Sequence, residues 1–173
     1  MGSDGDMSER VLIAYGSKHG STAETAEAIA GMLRDAGLEV DVSDAATVRT
    51  LDGYRGVIVG GSIYTGRWHP DARQFLKRFG RELGERPVAI FAMGPKTTEP
   101  EELASAREQL DLALKRLPDL GLPQIAIFGG VIDPAKLHFP FNRLPASDAR
   151  DWDVIRAFAA RFAERVTPAR AAA

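Results

Sequence analysis

Short apolar runs separated by stretches of helical periodicity constrain this chain more than any other feature. Val11-Leu12-Ile13-Ala14-Tyr15, Val57-Ile58-Val59-Gly60-Gly61, Val88-Ala89-Ile90-Phe91-Ala92 and Ile125-Ala126-Ile127-Phe128 are continuous apolar runs of strand length, the pattern of parallel strands buried on both faces. Leu38 to Val42 alternates apolar and polar, which fits a half-exposed edge strand. Between these runs lie helical stripes. From about Thr22, Ala26, Ile29, Ala30 and Leu33 fall on one face, Ser21 and Glu24 have the spacing of a capping box, and Gly37 provides a stop. Pro70 opens a helix with inner face Ala72, Phe75, Leu76, Phe79 and Leu83. Two later stripes are Leu103, Ala106, Leu110, Leu114, Leu117 and Trp152, Ile155, Ala159, Phe162, Val166. Strands that alternate with helices predict an α/β three-layer sandwich, with a five-stranded parallel sheet covered on both faces in the order 2-1-3-4-5.

A chain of 173 residues suits one domain, expected over residues 9–167. Residues 1–8, with a second methionine at Met7, read as a leader or disordered N-terminus, and the Ala/Arg stretch 168–173 as a flexible tail. Formal net charge is −2, and no block of like charge marks a nucleic-acid or membrane-binding surface. No apolar run approaches the ~18 residues of a transmembrane helix. The acidic start is unlike a signal peptide, so a cytoplasmic protein is expected. Cysteine is absent. That removes disulfides, thiol nucleophiles and iron–sulfur ligation, so any redox chemistry needs an organic cofactor. His19, His69 and His138 lack metal-site spacing.

In an open parallel sheet, ligands bind beyond the carboxyl ends of the strands. This selects the loops 16–22, 61–70, 94–100 and 129–147. The first contains Gly16, Ser17, Lys18, His19, Gly20, Ser21 and Thr22. Three hydroxyls at a helix start, with free backbone N–H groups and the helix dipole, suit a phosphate. It lacks the GxGxxG of a dinucleotide fold, and Lys18 is misplaced for a Walker loop. Ser17 and Ser62 stand where a response regulator would need carboxylates. An ordinary polar turn is the competing reading. In the second loop, Ser62, Ile63, Tyr64, Thr65 and Gly66 offer backbone donors, and Tyr64 and Trp68 offer planar faces for a flavin. Either aromatic can instead belong to the core, and His69 before Pro70 suits a helix cap. Gly66 can take a positive φ, which lets the Thr65–Gly66 peptide turn toward the ring. Gly94, Pro95 and Lys96 form a stiff rim on the other side.

The loop Gly16 to Thr22 resembles the FMN-phosphate loop of flavodoxins. The segment Val59-Gly60-Gly61-Ser62-Ile63-Tyr64-Thr65-Gly66, followed by Trp68-His69 and a Phe-rich helix, is similar to the flavodoxin-like, FMN-dependent protoporphyrinogen dehydrogenases that use menaquinone. Phe128-Gly129-Gly130 and Asp151-Trp152-Asp153 add to this likeness, which covers roughly residues 11–166. The resemblance implies a flavodoxin-like fold, FMN as cofactor, a porphyrinogen as donor, a quinone as acceptor, and a peripheral position at the membrane. The family carries a long basic and aromatic insertion after the fifth strand, whereas here residues 133–147 are short. Lys136, Phe139, Phe141 and Arg143 keep its character.

These residues, with Arg67 and Trp68, are the candidate substrate contacts; the cations Arg67, Lys96, Lys136 and Arg143 can pair with propionates. Phe139 and Phe141 are read either as a substrate edge or as caps on the core near Trp152. No general base is assigned. Three functions remain open: an FMN-dependent oxidoreductase, a flavodoxin-type electron carrier that serves a redox partner without substrate turnover of its own, and a flavin-binding partner module. Strong acidity is usual for a carrier, and a net charge of −2 fits that poorly.

Overall fold

The computed structural model describes residues 10–17, 20–64, 66–94, 99–115, 120, 123–132, 135, 139, 143 and 146–167. The elements run β1 (Arg10–Gly16), α1 (Ser21–Asp35), β2 (Glu39–Asp44), β3 (Gly56–Tyr64), β4 (Arg67–Trp68), α2 (Pro70–Arg78), α3 (Gly80–Leu83), β5 (Val88–Met93), α4 (Pro100–Lys115), β6 (Gln124–Phe128), β7 (Val131–Ile132), β8 (Ser147–Asp148) and α5 (Trp152–Val166).

Five parallel strands lie in the order β2-β1-β3-β5-β6, which is 2-1-3-4-5 when only the long strands are counted. The main sheet has a sixth member the sequence did not suggest. Two-residue β4 folds back antiparallel on β3, pairing Ile63 with Trp68 and Tyr64 with Arg67. Strands β7 and β8 form a separate two-stranded ribbon.

Side chains on a strand alternate between faces, and that alternation divides the core. Val11 and Ile13 of β1 pack with Phe91 and Met93 of β5 under α1 and α5, where Ile29, Leu33, Ile155 and Phe162 are buried. Leu12, Ala14, Val57, Val59 and Ile90 face the opposite layer, with Phe75, Leu76, Leu83 and Leu110 from α2, α3 and α4. Burial of each such side chain stabilises the fold by roughly 1.5–3 kcal/mol.

The expected helix 70–83 breaks at Phe79, but its five inner residues are all buried. Gly37 ends α1 as expected, with φ 92°. The capping box does not form. The N-cap of α1 is Gly20, at φ 88°, and no side chain caps the helix.

At the β2 edge, the Tyr54 hydroxyl donates to Asp41 Oδ2 at 2.7 Å. Burial, and next this bond to a carboxylate, push the phenol from 10.0 up to about 12. The folded-state pKa is raised, so this contribution to stability is complete below pH 10.0 and is lost as pH climbs toward about 12. In unfolding experiments, Tyr54→Phe should flatten the fall in stability across that window. An identical alkaline profile in the variant would show that Tyr54 is not the titrating group.

Candidate functional site

The carboxyl ends of the parallel strands converge tightly. A Cβ built on Gly94 would lie 2.9 Å from Ile63 Cβ, and one on Gly130 would lie 3.2 Å from the Gly94 carbonyl oxygen. The Gly94 N–H donates to Phe128 O at 3.3 Å. Glycine fits here because a Cβ would crowd Ile63 at the one position and the Gly94 backbone at the other. The ends of β3, β5 and β6 thereby form one continuous rim.

The β1 end joins this rim through the start of α2. A Cβ on Gly16 would meet His69 Nδ1 at 2.6 Å. His69 caps α2, as expected, by accepting from the Asp71 N–H at 3.1 Å, and its own N–H donates to Ser62 O at 2.9 Å. The loops 16–22 and 61–70 are therefore neighbours.

In the first loop, Ser17 Oγ accepts from the Gly20 N–H at 2.9 Å and closes the turn. Helix α1 begins beyond it with no side-chain cap, which leaves first-turn N–H groups available to an anion. Thr22 is 0% exposed, and among the described residues its hydroxyl has no hydrogen-bond partner. Thr25 Oγ1, one turn on, and Ser62 Oγ, at the end of β3, are likewise buried and unpartnered. A buried hydroxyl without a partner costs roughly 1–3 kcal/mol. Thr22, at the start of α1, and Ser62, near the end of β3, lie where a polar ligand would supply what the chain does not; Gln124 Oε1, at the start of β6, is also buried and unpartnered but lies at the other end of its strand. An FMN phosphate and ring edge match this donor set in chemistry.

On the second loop, Gly66 has φ 76°, as the expected turn requires. Gly66 and the exposed Arg67 open onto a groove between α2 and α4. Trp68 corrects the sequence reading. It is fully buried, packs with Ala72 and Phe75, and donates its indole N–H to Gly61 O at 3.1 Å. Its ring belongs to the core, the second of the two readings the sequence left open. The β3–β4 pairing turns it inward, a cause invisible in a stretch that reads as loop.

After β6, Phe139 is 70% exposed and the Arg143 guanidinium lies 5.0 Å from its ring centroid. Phe139 therefore does not cap the core. Lys18, His19, Thr65, Pro95, Lys96, Lys136 and Phe141 lie outside the described residues, as does the side chain of Tyr64.

Sequence reasoning missed Arg150. Its guanidinium grips both oxygens of Asp148 (Nε to Oδ1 at 3.0 Å and to Oδ2 at 3.3 Å, Nη2 to Oδ2 at 2.8 Å), reaches Glu24 of α1 at 3.3 Å and stacks 4.9 Å from the Trp152 ring. The Arg150 hydrogen bond holds the Asp148 carboxyl below its ordinary range. This knot pins the β7–β8 ribbon to the start of α1. The only signal in the sequence was its position beside Asp151-Trp152.

The family profile described as "Flavodoxin domain" matches residues 12–144. A curated relative, the protoporphyrinogen IX dehydrogenase [quinone] of Escherichia coli K12, is 26% identical over 95 residues, 54% of this chain and 52% of that protein. The chain thus matches about half the length of this relative. Among solved structures, oxidised flavodoxin 2 from Bacillus cereus superposes with TM-score 0.58 at 23% identity, covering 90% of this chain and 98% of the other. A variant of the Pseudomonas aeruginosa flavodoxin gives TM-score 0.59 at 16% identity, covering 91% and 98%.

Proposed function

Because the chain belongs to the flavodoxin domain family, with FMN as its cofactor, we propose that it is an oxidoreductase that takes electrons from an apolar, carboxylated donor of the protoporphyrinogen class and delivers them to a quinone. Bound FMN supplies a carrier that can accept electrons in pairs or singly. The chain's own residues do the rest. Ser17, Gly20, Ser21 and Thr22, with Lys18 and His19, hold the phosphate at the start of α1, where the dipole and open N–H groups favour an anion. Ser62, Ile63, Tyr64, Thr65 and Gly66 bound one edge of the ring, and Gly94, Pro95 and Lys96 bound the other. The close approach of Gly94 to Ile63 keeps these two edges in fixed relation.

The observation that carries the substrate reading is the exposed Phe139 beneath Arg143. An apolar ring with a guanidinium above it, in the segment that follows a strand end, suits a donor with an apolar body and carboxylate arms. Lys136 and Phe141 extend this edge in the proposal; Arg67, which the sequence grouped with them, opens instead onto the groove between α2 and α4. An anaerobic titration of the FMN-loaded protein with protoporphyrinogen IX should bleach the flavin absorbance, and a menaquinone analogue should restore it. No bleaching by the porphyrinogen, with normal bleaching by dithionite, would overturn the substrate reading.

One observation favours a second reading, a plain electron carrier. The family profile that matches residues 12–144 is described only as a flavodoxin domain, and the match to the dehydrogenase is 26% identical over 95 residues. A carrier would be reduced by a flavodoxin reductase and oxidise no porphyrinogen.

A further inference from the structure

The groove headed by Gly66 and Arg67 has a volume of about 830 Å³ and runs between α2 and α4. Arg73 and Lys77 lie along its α2 bank, and Leu112 and Lys115 along its α4 bank. With Arg67 at the head, four cations line it, and among its described lining residues there is no carboxylate. That imbalance stands out in a chain of net charge −2. Of the nearby carboxylates, Asp111 pairs with Arg107 at 3.0 Å, and Asp71 and Glu108 do not line the groove. Arg73 is held in place by donating from Nε to Trp68 O at 3.1 Å. Between the cations lies apolar surface, with Leu112 52% exposed. Like charges on facing banks repel each other in the empty groove, and this repulsion becomes attraction when an anion enters.

We propose that this groove docks an acidic, amphipathic segment of a protein redox partner, with carboxylates against Arg67, Arg73, Lys77 and Lys115 and an apolar side chain on Leu112. The inference rests on the electron-carrier reading for its purpose: a partner seated there lies beside the hairpin that bounds the cofactor. Shape and charge choose this occupant. The cations line the inside of a concavity, whereas a bilayer is met by charges on a flat or convex face. They are also spread along a groove much larger than a single phosphate, as a polyvalent ligand requires. Helix-in-groove recognition uses this combination of apolar anchor and charged flanks.

The test uses the FMN-loaded full chain and a fluorescein-labelled helical peptide of about 15 residues, with glutamates at i, i+4 beside a leucine stripe. Anisotropy should show saturable binding that weakens with salt. Lys77→Glu/Lys115→Glu should weaken it about tenfold or more and confer binding of the matching lysine peptide. Arg49→Glu/Arg81→Glu, with the same charge change at exposed positions outside the groove, should weaken it far less. Equal loss in both double variants would overturn the proposal. So would vesicles of phosphatidylserine and phosphatidylcholine that bind in a Lys77- and Lys115-dependent way when the peptide does not bind. Should the charge-reversed protein fail to fold, Lys77→Gln/Lys115→Gln gives the same comparison. Peptide binding is read without any turnover, so a protein that binds the peptide but oxidises no porphyrinogen would refute the substrate reading and leave the groove assignment standing.

Discussion

Trp68→Ala should lower the stability of the flavin-free protein by about 3–5 kcal/mol, the range for removing a large aromatic from a packed core. The indole has no exposed surface and lies in one cluster with Ala72, Phe75 and Leu76. Its fit is close on the strand side as well, because a Cβ on Gly61 would come within 2.8 Å of the indole nitrogen. Deleting the ring leaves a cavity walled by a rigid strand and the start of α2, neither of which can collapse into it without loss elsewhere. It also removes the donor to Gly61 O. At roughly 2–4 °C per kcal/mol for a domain of this size, the melting midpoint should fall by about 6–20 °C.

The same variant separates two roles for an aromatic in this loop. A flavin-stacking tryptophan would be dispensable to the flavin-free fold and essential to affinity. A core tryptophan has the opposite profile, with any loss of FMN affinity following from loss of the Ile63–Trp68 pairing that holds the hairpin. Trp68→Phe should retain most of the packing and lose the hydrogen bond and part of the ring volume, a smaller loss than in Trp68→Ala. An unchanged midpoint in Trp68→Ala, together with collapsed FMN affinity, would restore the ligand role that the sequence suggested.

Trp68 also shows what the sequence could and could not convey. Continuous apolar runs are legible because burial on both faces leaves no polar position to confuse the pattern, so four long strands were predictable from them, the β2 edge strand from its alternation, and the order from the strand–helix alternation. Strands β4, β7 and β8 have two residues each, too few to show a period. The inward turn of Trp68 follows from β4 and was hidden with it. The start of α1 misled for a different reason. Ser21 and Glu24 have the right spacing, but the chain enters through a left-handed Gly20 whose N–H is taken by Ser17, and spacing carries no information about entry geometry. The loops of the candidate site could be selected from sequence because parallel topology alone fixes which ends of the strands can hold a ligand. Thr25 lies one helical turn from Thr22 on the same buried face, and the i, i+3 relation could have found it. The groove cations could not be grouped from sequence, since they come from the hairpin and two helices that approach only in the fold.

Thr22→Val should act in opposite directions on the protein alone and on its complex. Valine keeps the shape of threonine and replaces the hydroxyl with a methyl group. In the flavin-free fold that hydroxyl is buried without a partner among the described residues, so its removal relieves an uncompensated desolvation. The variant should then be as stable as the parent, or more stable by up to about 1 kcal/mol. With FMN, the hydroxyl is proposed to donate to the phosphate. Its loss leaves a charged acceptor short of one bond, which should weaken binding by about 1–3 kcal/mol, roughly 5- to 150-fold. Riboflavin has no phosphate and should bind both proteins alike. Ser17→Ala makes a contrast, since Ser17 already accepts from Gly20 N–H at 2.9 Å. It should lose both FMN affinity and some stability of the loop itself. Fluorescence quenching titrations with the two flavins, alongside urea unfolding of the flavin-free proteins, measure all of these quantities. Equal losses for FMN and riboflavin would remove the phosphate from this loop. A clear destabilisation of flavin-free Thr22→Val would mean that the hydroxyl serves the fold, and the unpartnered oxygen would no longer argue for a ligand.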